Sequence, residues 1–130
     1  MTTEDTVEQL LNFGFTVVKY VLKEQGEFYP IGVYIDGDDK PQQLISFFGD
    51  DFPLSNDLVK LLQSILEEKF AKNEIKGYAV LYDSISRRNA ESEKLDTIIA
   101  KFKYKKFNNL YFLPYKIANS EITFHEGWME

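Results

Sequence analysis

The 130-residue chain has no cysteine, and it has only one histidine and one tryptophan. The lack of cysteine excludes disulfides, thiolate zinc sites, iron–sulfur clusters and cysteine nucleophiles. No uncharged apolar run approaches the roughly 20 residues that a membrane-spanning helix needs. Acids also follow Met1 where a signal peptide would carry basic residues. We therefore expect a cytoplasmic protein that contacts no membrane and needs no metal or cofactor.

The composition predicts a folded chain. Hydrophobic residues make up 44% of it and aromatic residues 15%, which is too apolar for a disordered protein at this modest net charge. No repeat, low-complexity tract or linker rich in proline, glycine and serine interrupts it. Because the length is that of one ordinary domain, a single domain is expected to span residues 1–130.

Two stretches carry apolar residues at the spacing of one helical face. The first runs from Thr3 to Gln25, with Gly26 as a stop signal, and the second runs from Ser55 to about Lys72. The residues of the second helix that are expected in the core are Leu62, Ile65 and Leu66.

Alternation of apolar and polar residues predicts six strands. A hairpin precedes the second helix and four strands follow it, with short connections that favour antiparallel neighbours. The fold class is therefore α+β, in the order helix, hairpin, helix and four-stranded meander, with both helices on one face of an antiparallel sheet. The predicted strands are Tyr29–Ile35, Gln43–Phe48, Gly77–Ser86, Leu95–Lys105, Leu110–Ile117 and Ile122–Trp128.

The negative charge is concentrated in the first half of the chain. Residues 1–68 hold thirteen acids and four bases, a balance of −9, whereas residues 69–130 hold eight acids and eleven bases, a balance of +3. An acidic surface speeds the encounter with a basic protein, which favours an immunity or adaptor type of interaction module. The overall charge of −6 argues against a nucleic-acid partner. The alternative is that these acids only solubilise the surface and shape turns. The acids expected to bind a partner protein are Asp36, Asp38, Asp39, Asp50 and Asp51.

Two motifs resemble ligand sites but are incomplete. The acids that start at Asp36 resemble the beginning of a calcium loop, but Lys40 and Pro41 stand where an oxygen ligand and a glycine belong. Residues 101–107 interleave lysines with aromatics, as sheets that bind single-stranded nucleic acid do. Alternation places the aromatics and the first three lysines on opposite faces, so a half-buried strand with a solvated lysine face explains them better.

A second interpretation is a small-ligand module, with a tyrosine-lined pocket between the sheet and the helices that a loop arginine reaches. A third is an enzyme that uses the sole histidine as a general base. No nucleophile elbow and no HExxH motif accompanies that histidine, so no catalytic residue is assigned. The residues expected to bind a ligand are Tyr29, Arg87, Arg88, Tyr115 and His125.

Three short stretches remain to be interpreted: Glu27–Gly32, Leu113–Lys116 and Phe124–Gly127. They resemble a group of small bacterial proteins of unknown function. In that group an EFYPFG-like hairpin precedes a helix, and a strand containing Pro-Tyr precedes a terminal strand. The resemblance implies a bacterial protein akin to those that neutralise toxins.

Overall fold

The computed structural model describes residues 3–44, 55–87, 90–91 and 93–130. Within them lie two helices and an antiparallel sheet of seven strands, which confirms the α+β class. Neither helix is long and apolar enough to cross a membrane. In chain order the elements are α1 (Thr3–Gln25), β1 (Ile31–Ile35), β2 (Pro41–Gln43), α2 (Ser55–Ala71), β3 (Gly77–Ser86), β4 (Leu95–Tyr104), β5 (Phe107–Ala118), β6 (Glu121–Phe124) and β7 (Trp128–Met129).

The strands lie in the order β2-β1-β3-β4-β5-β6, and β7 pairs with the outer edge of β5 beyond β6. All ten residues of β3 pair with β4, from Gly77 opposite Tyr104 to Ser86 opposite Leu95. The hairpin β1–β2 joins this meander because β1 pairs with β3. The meander therefore supplies most of the sheet, and the hairpin extends one edge of it.

The predicted number of strands is wrong at the C-terminus. The last predicted strand, Ile122–Trp128, is divided into β6 and β7. At Gly127 the backbone passes so close to β5 that a Cβ atom would lie 2.5 Å from Cε1 of Tyr111 and 2.7 Å from the carbonyl oxygen of Phe112. A glycine can make this approach because it has no side chain.

Two other predicted boundaries differ from the structure. The turn expected at residues 107–109 begins two residues earlier, at Lys105, whose φ of 52° reverses the chain before β5 begins. β2 ends at Gln43, and the remainder of its predicted span from residue 45 lies outside the described residues.

The helices pack on opposite faces of the sheet, which corrects the expectation that both cover one face. Successive residues of a strand point to opposite sides. In β3, Ala79 and Leu81 pack in the core cluster of α1, whereas Tyr78 and Val80 pack in the cluster of α2. All four are buried, because β3 is covered on both sides at this point. A continuous apolar run of this kind is typical of a strand buried between two layers.

Two glycines shape the packing and the end of α1, and leucines bury α2 against the sheet. Gly14 lets α1 approach β3, since a Cβ atom there would lie 2.9 Å from a methyl group of Leu81. Gly26 ends α1 with a φ of 77° and donates its amide proton to the carbonyl of Leu22, as predicted for a left-handed cap. In α2, Leu62 and Leu66 are buried as expected, whereas Ile65 is only half-buried.

A polar cluster ties α2 to the sheet as well. The carboxylate of Glu67 accepts hydrogen bonds from the hydroxyl of Tyr78 on β3 and from Nζ of Lys103 on β4, the latter at 2.9 Å. The ammonium of Lys103 also lies 5.0 Å from the centre of the Phe70 ring. These hydrogen bonds, first that of Tyr78 and then that of Lys103, hold the pKa of Glu67 below its usual value.

Candidate functional site

The acidic turn between β1 and β2 is held together by its own carboxylates. Oδ1 of Asp36 accepts hydrogen bonds from the backbone amides of Lys40 at 3.0 Å and Asp38 at 2.8 Å. The bond from Lys40 does most to lower the pKa of Asp36. Asp39 has a φ of 62°, and its carboxylate accepts a hydrogen bond from Nζ of Lys76 at 2.7 Å. Two of these acids therefore stabilise local structure, as Asp commonly does in turns, and Asp38 is exposed.

This turn and the start of α1 lie at the same end of the molecule. Thr6 of α1 and Asp39 line one cavity of about 770 Å³, and Glu4 and Glu8 lie within two residues of Thr6 on the helix. Lys105, a basic residue of the same cavity, has its ammonium over the Tyr104 ring at 5.5 Å. Glu4 and Glu8 do not line this cavity themselves, because residues two apart on a helix do not share a face, and they line a different cavity. Asp50 and Asp51, the other acids expected there, lie outside the described residues.

The residues expected to bind a ligand are only partly brought together. Tyr115 and His125 line a shared cavity of about 920 Å³ beyond the C-terminal end of α1. Tyr29, in the segment before β1, is more than half exposed, and Arg87, after β3, donates from Nη1 to the carbonyl oxygen of Ala90 at 3.3 Å. Neither of these two is among the described residues that line the cavity. Arg88 lies outside the described residues.

A tyrosine–carboxylate pair forms the polar wall of this cavity. The hydroxyl of Tyr115 donates to Oδ1 of Asp83 at 2.8 Å. Asp83 is an exposed residue, but the partial loss of water around its carboxyl raises the pKa of that group; the negative charge of Asp96 adds to this effect and the hydrogen bond from Tyr115 opposes it. Burial, followed by this same hydrogen bond, raises the pKa of Tyr115. At neutral pH the wall therefore offers the neutral hydroxyl of Tyr115 beside a carboxyl whose pKa lies above that of an ordinary aspartate.

A third, more apolar cavity lies between α1 and the part of the sheet formed by β5, β6 and β7. We call it the α1 groove; its volume is about 650 Å³. One wall is the helix, whose buried side chains Val7, Leu11 and Phe15 face the sheet. The side chains that line the sheet side are Phe107, Tyr111, Leu113, Phe124 and Met129.

Aromatic packing fixes the shape of the α1 groove. The Phe15 ring lies 5.8 Å from the Tyr111 ring and 6.5 Å from the Phe124 ring, and both pairs are tilted. Tilted pairs at these separations are favourable contacts. On the other face of the sheet, Trp128 stacks on Phe112 with centroids 5.2 Å apart. This stack anchors β7, which places the exposed Met129 beside the groove.

The rim of the α1 groove is charged differently at its two ends. Along the helix it consists of Glu4, Glu8, Asn12 and Thr16, spaced four residues apart, and it ends at Lys19. Residues at this spacing form one ridge of a helix. The acids lie at the start of α1, and the ammonium of Lys19 lies 5.7 Å from the centre of the Phe124 ring at the other end.

Within residues 3–44, 55–87, 90–91 and 93–130, no three His, Asp or Glu side chains are grouped so that they could hold a metal ion. In comparisons with protein-family models, curated proteins and solved structures, no match to the chain was found.

Sequence reasoning missed the α1 groove and the carboxylate of Asp83. The acids of the groove rim follow one another at helical spacing in the sequence, but nothing in the sequence pairs α1 with β5. Asp83 gave a weak signal, because it carries a charge on the same strand face as Ala79 and Leu81, at the point where that face becomes exposed. Such a break in an apolar strand face can mark a site.

Proposed function

We propose that this protein acts by binding another protein, through the acidic end of its N-terminal half and the adjoining α1 groove. The observation that carries the proposal is an open groove lined mainly by apolar and aromatic side chains and bordered by carboxylates. Apolar, aromatic surface bounded by polar residues is typical of protein-binding sites. The immunity or adaptor role, the bacterial origin and the cytoplasmic location remain predictions.

The charges favour a basic partner. Acids of α1 and of the β1–β2 turn lie at the same end of the molecule, where Lys76 and Lys105 offset part of their charge, and the acids that remain exposed attract a basic surface. Exposed charges at the rim of an interface act mainly on the association rate and on its salt dependence. The acids assigned to this steering role are Asp36, Asp38, Asp39, Asp50 and Asp51, together with Glu4 and Glu8.

The first experiment places a photo-crosslinking amino acid at Met129 and applies the protein to an extract of its source cells. We expect one major adduct, which unlabelled parent protein abolishes by competition. The same photo-crosslinker at Leu61, which is exposed on α2 at the opposite face, is the matched control. Equal adducts from both positions, or none from Met129, would contradict the proposed surface.

The second experiment uses the partner once mass spectrometry has identified it. Replacing Asp38, Asp39, Asp50 and Asp51 with Asn is expected to slow association at low salt, while the melting temperature changes little. An association rate equal to that of the parent at low salt would show that the turn acids serve only backbone geometry.

A small-ligand site is a second candidate, supported by the cavity that Tyr115, Asp83 and His125 share. It predicts that a polar metabolite raises the melting temperature and that Tyr115→Phe removes this rise. Turnover of such a compound that disappears in His125→Ala would instead support the enzyme interpretation.

A further inference from the structure

We infer that the occupant of the α1 groove is a single amphipathic helix of the partner, with basic residues at the end that meets Glu4 and Glu8. This inference rests on the proposed function and specifies the chemistry of the partner. It follows from the size of the groove, from the type of surface that forms its floor and from the charges on its rim.

The groove has the length of a short helix. From Glu4 to Lys19 its helical wall rises by 15 residues, or about 22 Å at 1.5 Å per residue. Along β5, the floor from Phe107 to Leu113 extends over six residues, or about 20 Å at 3.3 Å per residue. The two walls are therefore similar in length, and a helix of about 14 residues would span them with only its apolar stripe inside the groove.

The first part of β5 is the least covered part of this face of the sheet. α1 packs against β1 and β3 and reaches β2 and β6. Three side chains of β5 on this face remain only half-buried, whereas Tyr115 further along the strand is buried. The half-buried side chains are Phe107, Tyr111 and Leu113.

The floor favours a helix over an extended segment. It presents side chains from the face of the sheet, and the outer edge of β5 is already paired with β6 and β7. An extended peptide lying on this face would bury backbone amides and carbonyls without a strand to pair with, which is unfavourable. A helix forms its own backbone hydrogen bonds and needs only an apolar stripe to fit the floor.

The rim fixes the charge of the occupant. Glu4 and Glu8 are exposed, and neither forms an ion pair with another residue that the structure describes. At the other end, the ammonium of Lys19 is already placed over the Phe124 ring. Lysine or arginine near one end of the bound helix can therefore form ion pairs with these two carboxylates, whereas acids at that end would be repelled.

The test uses three synthetic 14-residue peptides as probes. The first has a leucine stripe at helical spacing and two lysines near one end. The second has glutamates in place of those lysines. The third keeps the composition of the first but has two central residues in the D configuration, which breaks the helix. Binding is measured by NMR from the methyl shifts of Met129 and Leu113, at low salt.

We expect the lysine peptide to shift both methyl signals saturably and the D-substituted peptide to bind at least tenfold more weakly. The double change Glu4→Lys and Glu8→Lys should lower the affinity of the lysine peptide about tenfold. This is the effect expected when two exposed ion pairs are replaced by repulsion. On the same double variant, the glutamate peptide should bind about as tightly as the lysine peptide binds the parent protein. Glu24→Lys, the same change outside the groove on the same helix, should have no effect.

Two results would overturn the inference while the proposed function stands. Equal binding of the D-substituted peptide would show that the occupant is not a helix. Failure of the lysine peptide to shift Met129 or Leu113 at millimolar concentration, while the crosslink from Met129 still forms, would show that the partner uses another chemistry. If that crosslink fails while the peptide binds, the groove accepts a helix but the cellular role is wrong.

Discussion

Removing the hydroxyl of Tyr78 tests the polar cluster that ties α2 to the sheet. Tyr78→Phe keeps the ring and its edge contact with Phe70, with centroids 6.1 Å apart, but deletes the hydrogen bond to Glu67. A hydrogen bond to a charged group contributes about 1.5–3 kcal/mol. Because Glu67 is 44% exposed, water replaces part of that stabilisation. We therefore expect a loss of about 1–2 kcal/mol in the free energy of unfolding.

The assay is urea denaturation at pH 7, with Tyr20→Phe as the control at an exposed position of α1. Glu67→Gln and the double variant complete a cycle, in which the two changes should be less than additive. The folded-state pKa of Glu67 is lowered from 4.5. The contribution of the ionised Glu67 to the free energy of unfolding is therefore fully present above pH 4.5 and is lost as the pH falls through the folded-state pKa. The effect of Tyr78→Phe on that free energy should shrink over the same pH range.

A loss for Tyr78→Phe below about 0.5 kcal/mol, the usual range of a neutral surface change, would refute this reasoning. Strict additivity with Glu67→Gln would refute it too, because it would mean that the two groups do not interact in solution.

Three other predictions concern stability. Leu62→Ala should lower the free energy of unfolding by about 2–5 kcal/mol, and the exposed Leu61→Ala by less than about 1 kcal/mol; equal losses in urea would mean that α2 is not docked as described. Gly127→Ala should cost about 1–3 kcal/mol, because the new methyl group would meet Tyr111 and the backbone of Phe112; an unchanged melting temperature would show that β7 moves freely. EDTA should leave the melting temperature unchanged, and a fall of several degrees would reveal a structural metal.

The sequence alone determined the helices and most of the long strands. The spacing of apolar residues in α1 and α2 is local information, and both helices occur within one residue of their predicted bounds. β3 matches its prediction at both ends, because glycine begins it and a polar loop follows it. The cap at Gly26 was also predictable, since a glycine directly after an amphipathic stretch is a local signal for a left-handed residue.

Only the tertiary structure decided on which face of the sheet each helix packs and which strands form the α1 groove with α1. The run from Gly77 to Leu81 is apolar on both sides, so its pattern cannot indicate which helix covers which face. The division of β6 from β7 depends on the close approach of Gly127 to Tyr111, sixteen positions away. The α1 groove likewise joins α1 to β5, which are separated by some eighty residues. Periodicity reports the neighbours of a residue along the chain, whereas these features depend on contacts that form only when distant elements pack.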